Sequence, residues 1–247
     1  RHLEALTTGV SRTVDIQRTL LPVMLEWFAD TPDPDAGLFG FRRISESLGR
    51  THWYLKTLRD EGEVAQRLAF VLGTSRYATD LLEREPQGVK MLGESLAPLE
   101  AEAILSEMRA VASRHDDPEE AIRAVRAVRR RELLRIACGE LVEGTDVAVI
   151  GEGLTRLTDA TLQAALDVAS EALRQERGLD EVPTRLAIVA MGRYGGFELS
   201  YASDADVVFV HEPAAGVEPQ AAVSFAQAVI TEVRRLLALR FMASTKP

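Results

Sequence analysis

Two aspartates, Asp204 and Asp206, are separated by one residue and stand at the head of a short apolar run, 207–210. If that run is a β-strand, its period of two places both carboxylates on the same face. Two like charges beside an apolar strand are costly unless a cation lies between them. Mg²⁺ is the natural partner, because it prefers carboxylate oxygens together with substrate phosphates. The pair therefore predicts catalytic metal ligands for a phosphate-bearing substrate, with room for a two-metal arrangement.

A glycine pair, Gly195-Gly196, follows a second apolar run, 185–191. Backbone without Cβ atoms lets N–H groups approach a phosphate closely, and more so where a short helix begins. Arg193 could neutralise phosphate charge, and Ser203 could donate its hydroxyl to a phosphate or shape the turn. A Gly-Gly pair is usually only a turn, and a lone Asp-x-Asp is common. The combination of strand, Gly-Gly, Ser-Asp-x-Asp and strand predicts a nucleotidyl-transfer site.

The elements that must position these residues begin with a long helical region. Apolar residues recur at three- and four-residue spacing, and Pro, Gly, Ser and Asp mark the ends of the segments. Residues 30–37 read as a rigid polar connection and 144–153 as a loop. The runs 185–191 and 207–210 read as buried strands, because they are continuous, short and flanked by glycine or polar residues. The predicted helices are 12–29, 37–49, 53–60, 61–72, 76–85, 98–114, 118–143, 154–178 and 218–239.

These patterns predict a mostly α chain with a C-terminal α/β part. We expect a helical bundle-like domain over 1–150 and a second domain over 151–247. Two strands do not make a stable sheet by themselves, so a further strand is expected after Lys246-Pro247, where the sequence stops. The sequence also begins without Met, which indicates a piece of a longer protein.

Composition excludes several classes of protein. The chain has 247 residues with 38 acidic and 29 basic side chains, a net charge of -9, which disfavours a protein that coats nucleic acid. No apolar run reaches about 18 residues, so no membrane-spanning helix is expected. The single cysteine, Cys138, permits neither an intrachain disulfide nor a cysteine zinc site, and a cytoplasmic location fits this.

Three other features have a structural interpretation that competes with a functional one. Glu198 could orient a basic group or a water, although a surface position is favoured. His211 reads as a loop histidine rather than a base. A helix within 118–143 carries a basic face, which we expect to be solvated and paired with nearby acidic residues rather than to meet a nucleotide or an acidic partner. Its arginines are Arg123, Arg126, Arg129, Arg130, Arg131 and Arg135.

The stretch 191–209 resembles the nucleotidyltransferase superfamily typified by DNA polymerase beta. More narrowly, it resembles the glutamine synthetase adenylyltransferase family, whose signature is Met-Gly-Lys/Arg-x-Gly-Gly-x-Glu-Leu followed by Ser-Asp-x-Asp. Here the signature reads Met-Gly-Arg-Tyr-Gly-Gly-Phe-Glu-Leu over 191–199 and Ser-Asp-Ala-Asp over 203–206. The resemblance extends upstream through 30–37, Arg42-Arg43 and 129–133. It covers nearly the whole chain and is strongest to the actinobacterial form.

The resemblance implies one of two tandem nucleotidyltransferase domains. In that family one domain removes AMP from glutamine synthetase by phosphorolysis, and the other attaches AMP from ATP to a tyrosine hydroxyl, which regulates nitrogen assimilation. The helical region is similar to the connector between the halves, which implies that the domain after it is the adenylylating one, here a truncated DNA polymerase beta-like domain. A PII-type signalling protein is a further implied partner of the family.

By the same resemblance, Asp204 and Asp206 bind Mg²⁺, while Gly195, Gly196 and Ser203 cradle the phosphates of ATP. The superfamily's third carboxylate lies on a later strand, past Pro247. Since a tyrosine hydroxyl with a pKa near 10 is a poor nucleophile at neutral pH without a base or metal, we expect the 247-residue chain alone not to adenylylate.

Three alternatives remain open from the sequence. The nearest is the deadenylylating half, which uses the same metal chemistry with phosphate as the attacking group. Another is a regulatory helical module over 1–180 that binds a signalling protein or senses glutamine. A DNA polymerase-like or RNA-modifying transferase is disfavoured by the acidic balance and by the lack of an aromatic and basic platform.

Overall fold

The computed structural model describes residues 12–48 and 51–238, which are mostly helical with one small sheet. The 3₁₀ helix Pro86–Gly93 follows the fifth α-helix, and the π-helical turn Gly139–Glu143 follows the seventh. The sheet has two antiparallel strands, β1 (Thr184–Ala190) and β2 (Val207–Pro213). The α-helices are α1 (Arg12–Ala29), α2 (Pro34–Leu48), α3 (His52–Asp60), α4 (Gly62–Thr74), α5 (Arg76–Arg84), α6 (Ala101–Ala112), α7 (Pro118–Cys138), α8 (Val147–Glu176), α9 (Gly192–Gly195) and α10 (Pro219–Ala238).

The chain divides into two compact units that do not follow a single cut in the sequence. One unit holds the residues up to Pro98 together with Arg130–Val147, and the other holds Leu99–Arg129 together with the residues from Ala148 onward. The division of the chain into domains at residue 150 stays a prediction. The expectation of a mostly α chain is confirmed, whereas the DNA polymerase beta-like fold remains a proposal.

The first unit has a helical core that closes around aromatic side chains. Phe28 and Phe41 are buried with ring centroids 6.2 Å apart, and Tyr54 is buried with its hydroxyl 2.9 Å from Ser45 Oγ.

The start of α2 differs from the prediction, which placed 30–37 in a connection. Asp33 caps the helix by accepting from Ala36 N, and Pro34 takes the first helical position, where its missing N–H has no cost.

The second unit builds its core from one face each of α7, α8 and α10. Phe225 is fully buried there, and the side chains of Leu186 and Ile188 on β1 pack against the same cluster. The other buried members of the cluster are Ile122, Ala165, Leu166, Ala169, Val229, Val233 and Leu236. The two strands are thus supported from one side by helices.

The opposite face of the sheet is exposed, which corrects the prediction of two buried strands. Burial alternates along both strands, and Val189, Val208 and Val210 are 44%, 49% and 50% exposed. Val189 pairs with Val208, and Ala187 pairs with Val210, so these side chains form one continuous apolar surface. A continuous apolar run is typical of a strand covered on both faces, and here the described residues cover only one.

The predicted loop over 144–153 is shorter than expected, because α8 begins at Val147. Gly144 has a φ of 66° and ends the preceding helical turn as a left-handed cap. Gly151 and Gly153 lie inside α8 and are buried, so they are packing residues and not loop residues. The C-terminal end of α8 agrees with the sequence, since Gly178 follows it with a φ of 61°.

The arginines of α7 bond both within the helix and to other elements. Arg123 contacts Glu120 at 2.7 Å, and Arg135 contacts Glu132 at 3.1 Å. The Arg123–Glu120 pair is exposed and is worth only a few tenths of a kcal/mol, whereas the Arg135–Glu132 pair is largely buried. Arg129 donates to Thr161 Oγ1 of α8 at 3.1 Å, so the expectation of a solvated face is met only in part. Across 12–48 and 51–238, no helix combines the length and the hydropathy that crossing a bilayer requires.

Cys138 ends α7 as a buried side chain, 1% exposed, and burial raises the pKa of its thiol to about 12. Since the reactive species is the thiolate, we expect the native chain to resist alkylation by iodoacetamide at pH 8 and to react fully once denatured. Mass spectrometry before and after denaturation measures this difference. Fast labelling of the native chain would contradict the buried position.

Candidate functional site

The two strands bring the glycine pair and the aspartates together at one end of the sheet. Ala190 pairs with Val207, and the ladder is extended by a hydrogen bond of 2.9 Å from the backbone N of Met191 to the carbonyl oxygen of Asp206. The residues that follow β1 therefore lie directly beside the residues that precede β2.

Between the strands, the chain makes one turn of helix, α9, and then reverses. Gly192 starts α9 with a φ of 53°, and Phe197 closes the turn with a φ of 60°. A positive φ is easy for glycine but is an outlier for a bulky residue, and such strained residues cluster at functional sites. We call residues 192–198 the glycine turn.

Asp204 and Asp206 are both exposed. Within the part of the chain that the structure describes, neither side chain has a hydrogen bond or an ion pair. Asp206 lies against the turn, because a Cβ added at Gly192 would come within 3.1 Å of its Oδ2 atom. Two neighbouring acidic groups without a basic partner form a negative site that is open to a cation.

The two glycines of the pair have different surroundings. A Cβ at Gly195 would lie 2.7 Å from the carbonyl oxygen of Ala190 in β1, so packing alone requires glycine there. A Cβ at Gly196 would find its nearest atom at 3.5 Å, and the backbone there (φ −88°, ψ 0°) suits any residue. The fold thus explains the first glycine and leaves the second open to another explanation.

The N–H groups of both glycines already have partners in the turn. Gly195 N donates to the carbonyl oxygen of Met191 at 2.9 Å, and Gly196 N donates to that of Gly192 at 3.0 Å. Both N–H groups are therefore engaged within the turn, and their approach to a phosphate stays a prediction. A close approach at Gly196 would come from its missing Cβ.

The remaining predicted site residues divide between the turn and the surface. The Ser203 hydroxyl accepts from Ser200 N at 3.0 Å and lies 2.9 Å from Ser200 Oγ, so it shapes the turn that leads into Asp204. The side chains of Arg193 and Glu198 are exposed. His211 lies within β2 rather than in a loop, with Nδ1 3.3 Å from Thr184 Oγ1, at the end of the strand away from Asp206.

Sequence reasoning missed the contact between the glycine turn and α8. The ring of Tyr194 is buried, and its hydroxyl donates to Oδ1 of Asp159 in the middle of α8. Gly151 on the same helix faces the carbonyl oxygen of Phe197, which a Cβ would approach to 2.8 Å. In the sequence, this contact was indicated only by Gly151 and Gly153, which were assigned to the predicted loop.

The donor set fits magnesium in type and in number. No group of three or more acidic, histidine or cysteine side chains within 12–48 and 51–238 has the geometry to hold a metal. Mg²⁺ does not require such a cage, because it retains several waters and is commonly bound by one or two carboxylates with substrate phosphates. Asp204 and Asp206 supply oxygen ligands of that kind.

Comparison with known proteins agrees with the motif. A family model described as glutamate-ammonia ligase adenylyltransferase matches residues 65–246. The chain is 51% identical to a protein of Cutibacterium acnes, 48% identical to one of Streptomyces avermitilis and 44% identical to one of Mycobacterium tuberculosis, each over 96% of the chain. All three are named bifunctional glutamine synthetase adenylyltransferase/adenylyl-removing enzyme.

The chain spans about a quarter of the length of these relatives, 23% to 25%. The match nevertheless covers most of the chain, including the glycine turn and both aspartates. By this match, the chain belongs to the glutamate-ammonia ligase adenylyltransferase family.

Proposed function

We propose that this chain carries the nucleotide site of an enzyme that transfers AMP from ATP to a tyrosine hydroxyl of glutamine synthetase. The observation that carries the proposal is that Asp204 and Asp206 are both exposed and have no basic partner among the described residues, with Asp206 lying against the glycine turn. Family membership supports it. Because the relatives are far longer than the chain, the whole reaction is assigned to a polypeptide of their length.

Asp204 and Asp206 would hold the magnesium that accompanies ATP. When bound, the ion neutralises phosphate charge and fixes the geometry of the attacking and leaving oxygens. The open surface at Gly196 leaves room for a phosphate, and the exposed guanidinium of Arg193 can balance its charge. Ser203 holds the turn that presents Asp204, and Gly195 holds α9 close to β1.

In the proposed reaction, the tyrosine oxygen of the target attacks the α-phosphorus of ATP. The new O–P bond forms as the bond to the β-phosphate oxygen breaks, pyrophosphate leaves, and the phenolic proton passes to a base. The catalytic contribution is mainly positioning and charge stabilisation. We assign the activation of the hydroxyl to a third carboxylate outside the described residues, as the resemblance implies.

We further propose that residues 1–150 serve as a helical connector and that 151–247 belong to a nucleotidyltransferase domain of the DNA polymerase beta type. Both strands, the glycine turn and both aspartates follow residue 151, whereas helices α1 to α7 precede it. The names of the relatives contain both AMP attachment and AMP removal, so the deadenylylating half is the second candidate.

Asp204→Asn in a polypeptide of the relatives' full length decides between the two candidates. The change removes a negative charge while it preserves the size of the side chain, so the fold should persist. We expect AMP attachment from labelled ATP to fall at least a hundredfold, because a ligand of the magnesium that would hold the reacting phosphate is lost. Phosphate-dependent removal of AMP from modified glutamine synthetase should stay within about twofold of wild type, since it would use the other site.

The unaffected activity acts as the internal control for folding. Loss of AMP removal with intact attachment would assign the chain to the deadenylylating half. Retention of both activities would overturn the proposed site.

A further inference from the structure

The glycine turn is fastened to α8 through a single buried side chain. Tyr194 is 3% exposed, whereas its neighbours Arg193, Gly195 and Gly196 are exposed. Its hydroxyl donates to Oδ1 of Asp159, whose residue is exposed on the middle of α8. The ring thus fills a space under the turn, and the hydroxyl reaches a carboxylate at the surface.

A second contact fixes the other end of the turn to the same helix. Gly151 approaches the carbonyl oxygen of Phe197 so closely that a Cβ at Gly151 would lie 2.8 Å from it. Gly151 and Asp159 are eight residues apart, about 12 Å along a helix axis. Because two points on a rigid helix hold the turn, its position relative to α8 is determined and not left to the short helix α9 alone.

The surroundings keep Tyr194 in its donor form. Burial, the hydrogen bond to Asp159 and that residue's negative charge raise the pKa of the Tyr194 hydroxyl well above its usual value, while the charge of Arg129 opposes them. Arg129 lies on α7 and donates a hydrogen bond of 3.1 Å to Thr161 Oγ1 of α8. The hydroxyl therefore remains protonated throughout the physiological range, and the contact does not depend on pH there.

We propose that Tyr194 is a positioning residue, which sets the glycine turn against Asp206 by anchoring it to Asp159 of α8. The inference rests on the proposed function, because it concerns how the same site receives the phosphates of ATP. In the sequence, Tyr194 lies between Arg193 and Gly196, the two residues proposed to lie against a phosphate. A turn released from α8 would open more often, so its internal hydrogen bonds would protect its amides less and it would present Gly196 to the nucleotide less accurately.

Three variants in a polypeptide of the relatives' full length test the anchor. Tyr194→Phe keeps the ring and removes the donor, and Asp159→Ala removes the acceptor. Asp159→Asn keeps an acceptor oxygen and removes the charge. We expect Tyr194→Phe and Asp159→Ala each to raise the KM for magnesium–ATP about threefold to tenfold, the range for one lost hydrogen bond. Asp159→Asn should restore values near wild type, and the double variant should be no worse than either single one.

Two readouts separate positioning from a loss of folding. The KM for glutamine synthetase should stay unchanged in all variants, whereas an unstable protein would lose turnover with both substrates alike. Hydrogen exchange of the peptide that contains the Gly195 and Glu198 amides should be faster in Tyr194→Phe without nucleotide, because these amides bond within the turn. Tyr54→Phe is the matched control, since that buried hydroxyl also has one partner, Ser45, in the other unit.

Each result has a defined meaning. If Tyr194→Phe changes neither the KM for ATP nor the exchange of the turn, the anchor is refuted, while the proposed function still stands on Asp204→Asn. If Asp159→Asn is as defective as Asp159→Ala, the charge of Asp159 matters and the positioning role is wrong. If the exchange rises although Asp204→Asn leaves AMP attachment intact, the anchor exists but the proposed function fails.

Discussion

Asp206→Asn is expected to lower AMP attachment about a thousandfold in a polypeptide of the relatives' full length, equivalent to about 4 kcal/mol of transition-state stabilisation. The carboxylate of Asp206 is exposed beside Gly192, and no described residue neutralises it. An amide can still coordinate through its oxygen, but it lacks the negative charge that makes two neighbouring aspartates attractive to Mg²⁺. Steady-state assays with saturating ATP over a range of magnesium concentrations measure both the rate and the apparent metal affinity.

Glu212→Gln supplies a matched control for this loss. This variant makes the same change from carboxylate to amide in β2, the strand that Asp206 precedes. Glu212 lies near the far end of β2, where its carboxylate is exposed and 2.9 Å from Arg185. A surface ion pair of that kind is worth at most about 1 kcal/mol, so activity should stay within about twofold. Comparable losses of AMP attachment in the two variants would indicate a general effect of charge on the sheet. A fully active Asp206→Asn enzyme would refute the proposed metal site.

The position of Asp206 beside the glycine turn follows from local features of the sequence. Each strand is a compact apolar run, and a two-strand antiparallel ladder requires the residues after β1 to lie beside those before β2. The position of Asp206 next to the glycine turn follows from that register, as the hydrogen bond from Met191 shows. The exposed outer face did not follow, because apolar runs describe what a strand can bury and not which of its faces the described residues cover.

The support behind the site could not be predicted, because it depends on contacts between distant segments. Gly151 reads as a helix breaker in the sequence, since glycine is a poor helix former. In the structure it is a helical residue whose lack of a Cβ admits the backbone of Phe197, 46 residues later by the numbering. Asp159 likewise looks like one solvated charge on an amphipathic helix, and only the fold places it against Tyr194.

The start of α2 illustrates a different kind of error. Two prolines in 30–37 predicted an extended connection, because each disfavours helix in the residue before it. The same rule permits a helix that begins at a proline, and Asp33 supplies the side-chain cap that decides the outcome. Pro34 therefore marks the start of the helix and not the end of an extended connection.

Substitution of either paired glycine by alanine should have a large effect, on stability at Gly195 and on nucleotide binding at Gly196. Gly195→Ala would place a methyl group 2.7 Å from the carbonyl oxygen of Ala190, and neither α9 nor β1 can move aside without disturbing the ladder. We expect this change to lower the free energy of unfolding by about 1–3 kcal/mol, as for overpacking elsewhere. Thermal unfolding of the variant and of wild type in parallel measures the loss.

Gly196→Ala serves as the control for the stability measurement, and it also tests whether this position contacts the nucleotide. Its new methyl group would meet nothing closer than 3.5 Å, so the melting temperature should hardly change. If a phosphate lies against this position, the methyl group occupies its place, and the dissociation constant for magnesium–ATP should rise at least about tenfold, or about 1.4 kcal/mol. Unchanged nucleotide binding would mean that Gly196 faces only solvent, whereas an equal loss of stability in both variants would mean that the two glycines serve the fold alone. Because the fold requires only the first glycine, a binding defect confined to Gly196→Ala would locate the phosphate on the turn.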